Sequence, residues 1–218
     1  MTRLVLIRHG ESMSSVNRTM GGPRTCGGLS PLGRKQAEAL AERLRRTGEV
    51  EAEALVSSAY PRAVETAEIV ATGLGDPPIE VVDELGEHDP GELCDGRLWE
   101  EAIAEHQPDW DTVWEHDPYV ASFPGAETVG EFHHRVAIAL YGLLREHRDR
   151  TLVVVCHGGV IDRALRTLLK LPFTGSFELN TVNTSLTELA LIRPGRWRLL
   201  RYNDAAHLEN LTPSDPAG

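Results

Sequence analysis

Runs of apolar residues alternate with helical repeats along the chain, and the first run ends in a polar turn. Residues 4–7 are four consecutive apolar residues followed by Arg8-His9-Gly10, which predicts a buried strand that runs into a loop. Similar short runs predict strands at residues 54–56, 79–82 and 152–156. Residues 186–192 and 197–202 flank Pro194-Gly195 and predict a closing hairpin.

Apolar residues at helical spacing fill most of the segments between these strands. Helices are predicted from Pro31 to about Gly48, from Pro61 to about Gly73, from about Thr128 to His147 and from about Val160 to Leu169. Because strands alternate with helices, we predict a three-layer α/β/α fold with a mostly parallel central sheet and antiparallel final strands. Residues 1–218 are interpreted as one domain. Residues 84–126 are interpreted as an irregular acidic insertion that contains Trp99, Trp110 and Trp114.

The composition is that of an ordinary globular domain. The chain has 218 residues, 41% of them hydrophobic, which is enough for a substantial core. No apolar run approaches the roughly 20 residues that span a bilayer, and the first run is too short for a signal peptide. Cys26, Cys94 and Cys156 follow neither a disulfide nor a metal-binding spacing. We therefore expect a cytoplasmic protein with no membrane partner.

The formal charge of −11 is concentrated in the insertion. Residues 84–126 hold twelve acidic residues and one arginine, whereas the other 175 residues balance at 21 acidic and 21 basic. Such a charge balance gives the chain no obvious reason to bind nucleic acid or an anionic membrane. Neither is therefore an expected partner. Whether the chain is a monomer or a homodimer stays open, since the last strand could pair with a second copy.

Four motifs carry the candidate chemistry, and two of them place His-Gly at the end of a predicted strand. They are residues 6–12 (LIRHGES), residues 57–67 (SSAYPRAVETA), residues 85–87 with Gly91 and Gly96 beyond them, and residues 155–159 (VCHGG). In this combination the chain resembles the histidine phosphatase superfamily, which includes cofactor-dependent phosphoglycerate mutases and many phosphomonoesterases. The resemblance covers nearly the whole chain. It implies that the insertion caps the C-terminal ends of the strands.

Phosphoryl transfer gives a physical role to the basic residues of these motifs. Charge develops on three equatorial oxygens, so positive donors are needed around them. Arg8 and Arg62 offer planar, bidentate guanidinium groups, and Arg62 lies just inside a helix start, where free N–H groups favour anions. His157 and the N–H of Gly158 are predicted as further donors.

His9 is the predicted nucleophile, because a neutral imidazole can attack phosphorus and form a phosphoenzyme. Glu87 is the predicted general acid, which protonates the leaving oxygen, and then the base, which activates water. Glu84 and Glu92 are alternatives for this role. The reaction requires no metal ion or other cofactor, and no ligand spacing for a metal is present.

The chain departs from the family pattern in the segment after the nucleophile. Many family members have an asparagine six residues beyond the nucleophile, where it helps to hold the phosphate. Ser15 occupies that position here and Asn17 follows, so either residue could make the contact. Residues 21–28 are unusually rich in glycine.

A phosphatase acting on a small phosphorylated metabolite is the favoured function. A 2,3-bisphosphoglycerate-dependent phosphoglycerate mutase is less favoured, because it must retain a second phosphate and a carboxylate beside an insertion with one basic residue. Each close like-charge pair costs about 1 kcal/mol in water and more in a cleft. A non-catalytic protein that only binds phosphoryl groups is a third hypothesis, and a phosphoprotein substrate stays possible.

These roles make a geometric prediction. His9 and His157 should lie within about 8 Å of each other if both contact one phosphoryl group. Both rings are also expected to be open to solvent.

Overall fold

The computed structural model describes residues 1–175, 177–209 and 211. Within them, six strands form one sheet in the order β3-β2-β4-β1-β5-β6. The strands are β1 (Arg3–Arg8), β2 (Ala54–Ser58), β3 (Ile79–Val82), β4 (Thr151–Cys156), β5 (Leu186–Arg193) and β6 (Arg196–Asp204). β1 to β4 pair in parallel, whereas β5 and β6 pair antiparallel. The predicted fold class is confirmed.

Helices cover both faces of the sheet. The helices α2 (Pro31–Thr47) and α3 (Pro61–Ala71) cover one face, and α5 (Val129–Glu146) and α6 (Gly158–Leu169) cover the other. Two shorter helices, α1 (Met13–Val16) and α4 (Trp99–His106), contribute to neither of these two core layers. The Ser30 hydroxyl accepts the Gly33 N–H at the start of α2, and Gly48 ends that helix with a left-handed φ of 60°. α6 begins two residues before the predicted Val160.

The hydrophobic core lies on both sides of β1. Leu4 and Leu6 point to the layer of α5 and α6, whereas Val5 and Ile7 point to the layer of α2 and α3. All four side chains are buried. The continuous apolar run of residues 4–7 reflects this burial on two faces, which is typical of a central parallel strand.

The segment 84–126 is less irregular than predicted. It contains α4 and a π-helical turn at Thr112–His116. A small apolar cluster lies beneath it, formed by Met20, Cys94, Ala102, Phe123 and Ala126. The rings of Trp99 and Trp110 pack edge-on to Phe123 at 6.4 and 5.9 Å. The sequence did not predict α4, because only one of its eight residues is buried and the segment therefore shows little of the apolar stripe that marks a core helix.

The insertion meets the loop after β1 near the carboxyl ends of the parallel strands. Leu98 forms a β-bridge with Thr19, and Arg97 and Gly96 bond to the backbone of Met20. No helix in the described part of the chain is long and apolar enough to cross a membrane.

Candidate active site

His9, His157 and Arg62 follow the carboxyl ends of three neighbouring strands and lie close together. β4 lies between β1 and β2 in the sheet. His9 follows β1 and His157 follows β4, and the backbone N–H of His9 donates to the carbonyl of Cys156 at 2.9 Å. Arg62 is the second residue of α3, which begins three residues after β2. The carboxyl ends of parallel strands are where α/β folds place their chemistry.

The two imidazoles and Arg62 are in direct contact. The ring centroids of His9 and His157 are 5.0 Å apart, well within the separation predicted for two groups on one phosphoryl. Arg62 Nε lies 3.1 Å from His9 Nε2 and 3.3 Å from His157 Nδ1. Both ring nitrogens act as acceptors toward this N–H.

These contacts determine the tautomer of His9. Its Nδ1 lies 2.7 Å from the carbonyl oxygen of Gly10, so Nδ1 carries the proton and donates it. Nε2 therefore has a free lone pair on the side of Arg62. The backbone on each side of the ring is also held, since Asn183 Nδ2 donates to the His9 carbonyl and the Gly10 N–H donates to Thr66 Oγ1.

His157 has the opposite tautomer. Its Nε2 lies 2.8 Å from Ser58 Oγ, and its Nδ1 accepts from Arg62. Nε2 therefore donates to the hydroxyl, which also accepts the Tyr60 N–H at 3.3 Å. Ser58 is fully buried at the end of β2. Sequence reasoning gave no role to Ser58, although it lies within the second motif.

Burial and positive charge keep both imidazoles neutral. For each ring, loss of solvation and then the charge of Arg62 hold the pKa well below its ordinary value, and Arg8 contributes as well. A neutral His9 with a free Nε2 lone pair is the form that attacks phosphorus.

The expectation that both rings are open to solvent is wrong. His9 is 5% exposed and His157 is fully buried. The side chain of Arg62 lies against both rings, and its guanidinium donates to the Gly21 carbonyl at 2.8 Å and to Cys26 Sγ at 3.3 Å. A guanidinium and a glycine-rich loop therefore cover the imidazoles. Arg62 therefore occupies the approach to the Nε2 lone pair of His9.

The glycine-rich loop, residues 21–28, is tied to the insertion through Asp95. The Asp95 carboxylate is 1% exposed and accepts the N–H groups of Gly22 and Arg24, each at 2.9 Å, and the Thr25 hydroxyl. A side chain at Gly21 would collide with Ser14 Oγ at 2.2 Å and approach Arg62 at 3.3 Å. The loop and the insertion thus enclose the site together.

Arg8 and Gly158, the chain neighbours of His9 and His157, lie against each other. Arg8 donates to the Thr181 carbonyl, and its buried Nε has no hydrogen-bond partner among the described residues. A Cβ on Gly158 would lie 3.7 Å from both Arg8 Nε and Thr181 Oγ1. The N-terminus of α6 therefore packs against the guanidinium, and together they offer free donors for an anion.

Glu87 lies at the same helix start. Its Oε2 accepts the Gly159 N–H at 3.0 Å and its Oε1 accepts the His88 N–H at 3.0 Å. A Cβ on Gly159 would stand 2.3 Å from Oε1, so the carboxylate needs a glycine there. The two alternatives, Glu84 and Glu92, are both exposed, and the structure gives neither a contact with the imidazoles.

Ser15 and Asn17 are not brought to this cluster. Both are exposed on or after the short helix α1, where Ser15 Oγ bonds to Ser12 and Asn17 caps the helix. The buried residue of this helix is Ser14, whose hydroxyl borders Gly21.

A cavity of about 720 Å³ opens beside Glu87 and Tyr60. Its lining includes five acidic residues, which are Asp83, Glu87, Asp89, Glu127 and Glu131. Arg135 is its one arginine, and this residue is paired with Glu127 at 2.7 Å. The cavity is therefore a poor environment for further negative charge on a substrate.

Comparisons with known proteins find relatives that match nearly the whole chain. The model of the histidine phosphatase superfamily (branch 1) matches residues 4–205. The metal-independent phosphoserine phosphatase of Arabidopsis thaliana is 29% identical over 213 residues, 97% of this chain and 85% of that protein. Bacillus stearothermophilus YhfR superposes with a TM-score of 0.81 and 27% identity, covering 96% of this chain and 100% of that one. Mycobacterial glucosyl-3-phosphoglycerate phosphatase with VO3 gives a TM-score of 0.76 and 30% identity, covering 92% and 98%.

Proposed function

This chain belongs to the histidine phosphatase superfamily (branch 1), and we propose that it hydrolyses a small phosphomonoester through a phosphohistidine intermediate on His9. The single observation that carries the proposal is the His9 tautomer. Its Nδ1–H is held by the Gly10 carbonyl at 2.7 Å, which leaves the Nε2 lone pair facing the Arg62 guanidinium, and the positive charge of Arg8 also acts on the ring.

In the first step the Nε2 lone pair of His9 attacks phosphorus and the ester P–O bond breaks. Arg62 releases His9 and donates to the phosphoryl oxygens, together with Arg8 and the Gly158 N–H. Glu87 gives its proton to the leaving oxygen, so that a neutral alcohol departs. The two guanidinium groups supply the positive charge, and the step therefore requires no metal ion.

In the second step water attacks the phosphohistidine. Glu87, now a carboxylate, takes a proton from the water as the new P–O bond forms and the P–N bond breaks. Phosphate leaves and His9 returns to its neutral state. The N–H groups of Gly159 and His88 bond to the two carboxyl oxygens of Glu87 and fix its orientation at the start of α6.

The charge around the cavity supports a phosphatase over a mutase. A mutase must hold a second phosphate and a carboxylate close to the reacting group, whereas the charged side chains that line the cavity beside Glu87 are five carboxylates and one arginine. Each additional like-charge contact costs about 1 kcal/mol in water and more in a cleft. A leaving group that is small and carries no negative charge fits this lining better.

The test is turnover of p-nitrophenyl phosphate in the absence of 2,3-bisphosphoglycerate. We expect hydrolysis and an acid-labile, alkali-stable phosphoenzyme when the reaction is quenched in alkali. His9→Ala should abolish both, whereas His116→Ala, which removes an exposed histidine in the insertion, should change neither. Isomerisation of phosphoglycerate only with bisphosphoglycerate present would favour the mutase. Vanadate binding without any phosphoenzyme would favour a protein that only binds phosphoryl groups.

A further inference from the structure

A second cluster of ligating side chains lies outside the catalytic site. Glu80 is in the edge strand β3, Glu146 is the last residue of α5, and His147 follows it. One ligand atom from each of the three side chains falls within 4.8 Å of the others. His147 precedes the start of β4 by four residues, whereas the catalytic residues follow the ends of the strands. The cluster is therefore near the amino-terminal ends of the parallel strands, whereas the catalytic residues lie at their carboxyl ends.

The separation of the atoms fits a shared ion better than a hydrogen bond. His147 Nε2 lies 3.7 Å from Glu80 Oε2, which is too long for a hydrogen bond. Two ligands of one tetrahedral Zn²⁺, each about 2.0–2.2 Å from the metal, stand roughly 3.5 Å apart. The two side chains thus already have nearly the spacing that a bound ion requires.

The burial of His147 is an independent observation that points to a ligand. The residue is 8% exposed, and its two ring nitrogens have no hydrogen-bond partner within the part of the chain that the structure covers. Buried polar atoms without a partner are uncommon in folded proteins, because each one loses its hydration without replacement. A metal ion bound at Nε2 would remove one of these two losses.

We propose that Glu80, Glu146 and His147 bind a divalent transition-metal ion of the Zn²⁺ type. One imidazole and two carboxylates are a donor set that Zn²⁺ accepts, and water would complete the tetrahedron. The nitrogen ligand disfavours Mg²⁺ and Ca²⁺, which prefer oxygen. The ion would join the edge strand β3 to the end of α5, and its role is structural rather than catalytic.

Zinc titration of the full chain by calorimetry tests this site. The titrations use the His9→Ala chain as background, so that the catalytic histidine does not contribute a competing ligand. We expect one site of micromolar affinity and a rise in the thermal unfolding midpoint with added Zn²⁺. Removing a ligand should weaken binding by about tenfold or more.

Glu80→Gln is the decisive variant, because the Glu80 side chain is 47% exposed and its loss should leave the fold intact. His147→Ala should show the same loss, and Glu38→Gln, an exposed position on α2, should bind as the background does. A zinc-edge anomalous peak among the three side chains would locate the ion. Equal affinity in Glu80→Gln, or binding only at millimolar zinc, would overturn the site and leave an adventitious ion only.

Discussion

Replacing Ser58 by alanine separates the positioning of His157 from general stability. The Ser58 hydroxyl accepts the Nε2–H of His157 at 2.8 Å, and both residues are fully buried. Without it, the Nε2–H has no acceptor, and the ring loses the contact that keeps Nδ1 turned toward the phosphoryl site. Ser58→Ala should therefore lower turnover, although Ser58 itself touches no substrate.

The size of the effect follows from the cost of an unsatisfied buried donor. That cost is about 1–3 kcal/mol. If this cost is added to the activation free energy of the reaction, turnover should decrease roughly 5- to 150-fold. Ser58 also accepts the Tyr60 N–H before α3, so part of the loss could pass through Arg62. Inhibition by phosphate separates the route through His157 from the route through Arg62, because phosphate binding depends directly on Arg62. If the loss passes mainly through His157, the affinity for phosphate should decrease less than turnover does.

Ser57→Ala is the matched control. Ser57 is equally buried, and its hydroxyl donates to the Ser58 carbonyl at 2.9 Å without contacting His157. Steady-state turnover of p-nitrophenyl phosphate is compared for both variants, with urea unfolding to measure their stability. Nitrogen NMR of His157 reports its tautomer directly. Wild-type turnover in Ser58→Ala would refute the reasoning, as would an equal loss in Ser57→Ala.

Three further predictions concern the acid, the loop and the pH dependence. Glu87→Gln should slow turnover about 100-fold while vanadate still binds; unchanged steady-state kinetics would remove Glu87 from this role. Asp95→Ala should raise the KM and open the glycine-rich loop to proteolysis, with Glu92→Ala as an unaffected control; equal cleavage of both variants would contradict the anchor. Since the pKa of His9 and of His157 is lowered by folding, the unfolded chain binds more protons below about pH 6.5. As the pH is lowered below about 6.5, the free energy of unfolding should therefore decrease, by up to about 1.4 kcal/mol per pH unit for each histidine. Urea titrations of His157→Asn should give a shallower slope, and an unchanged slope would argue against this origin.

Much of the fold could be predicted because its signals are local. The run of residues 4–7 is apolar on both faces, which requires a central strand. The ends of α2 are marked in the sequence by Pro31 and Gly48, and the helix begins at Pro31 and is capped by Gly48, as predicted. The convergence of His9 and His157 also followed from sequence, because both come directly after strands that a parallel sheet places side by side.

The rest depended on contacts that no local pattern encodes. Asp95 bonds to the glycine-rich loop, which lies more than 70 positions before it in the chain. Its neighbours in the sequence are those of an ordinary surface acid and give no sign of this contact. For α1, successive helical residues point about 100° apart, so the side chain facing the site is Ser14 rather than Ser15. Solvent access to His9 was mispredicted for a similar reason, since the side chain that covers the ring belongs to Arg62, 53 positions away.

The opposite tautomers of the two imidazoles lead to a last consequence. His9 and His157 both present a lone pair to the single Nε–H of Arg62. The lone pair of His9 suits attack on phosphorus, but that of His157 would face a negatively charged oxygen. Burial first, and then the charge of Arg62, now lower the pKa of His157. A bound tetrahedral anion supplies a negative charge that raises this pKa, and we therefore predict that His157 gains a proton when the anion binds. Sulfate, which does not itself titrate near neutral pH, is the clean probe. Its binding at pH 7.5, measured by calorimetry in buffers of different ionisation enthalpy, should take up close to one proton per site, and His157→Gln should take up none. Proton-neutral binding by the wild-type chain would show that His157 keeps its lone pair toward the anion, and the assignment of this residue as a donor would then fail.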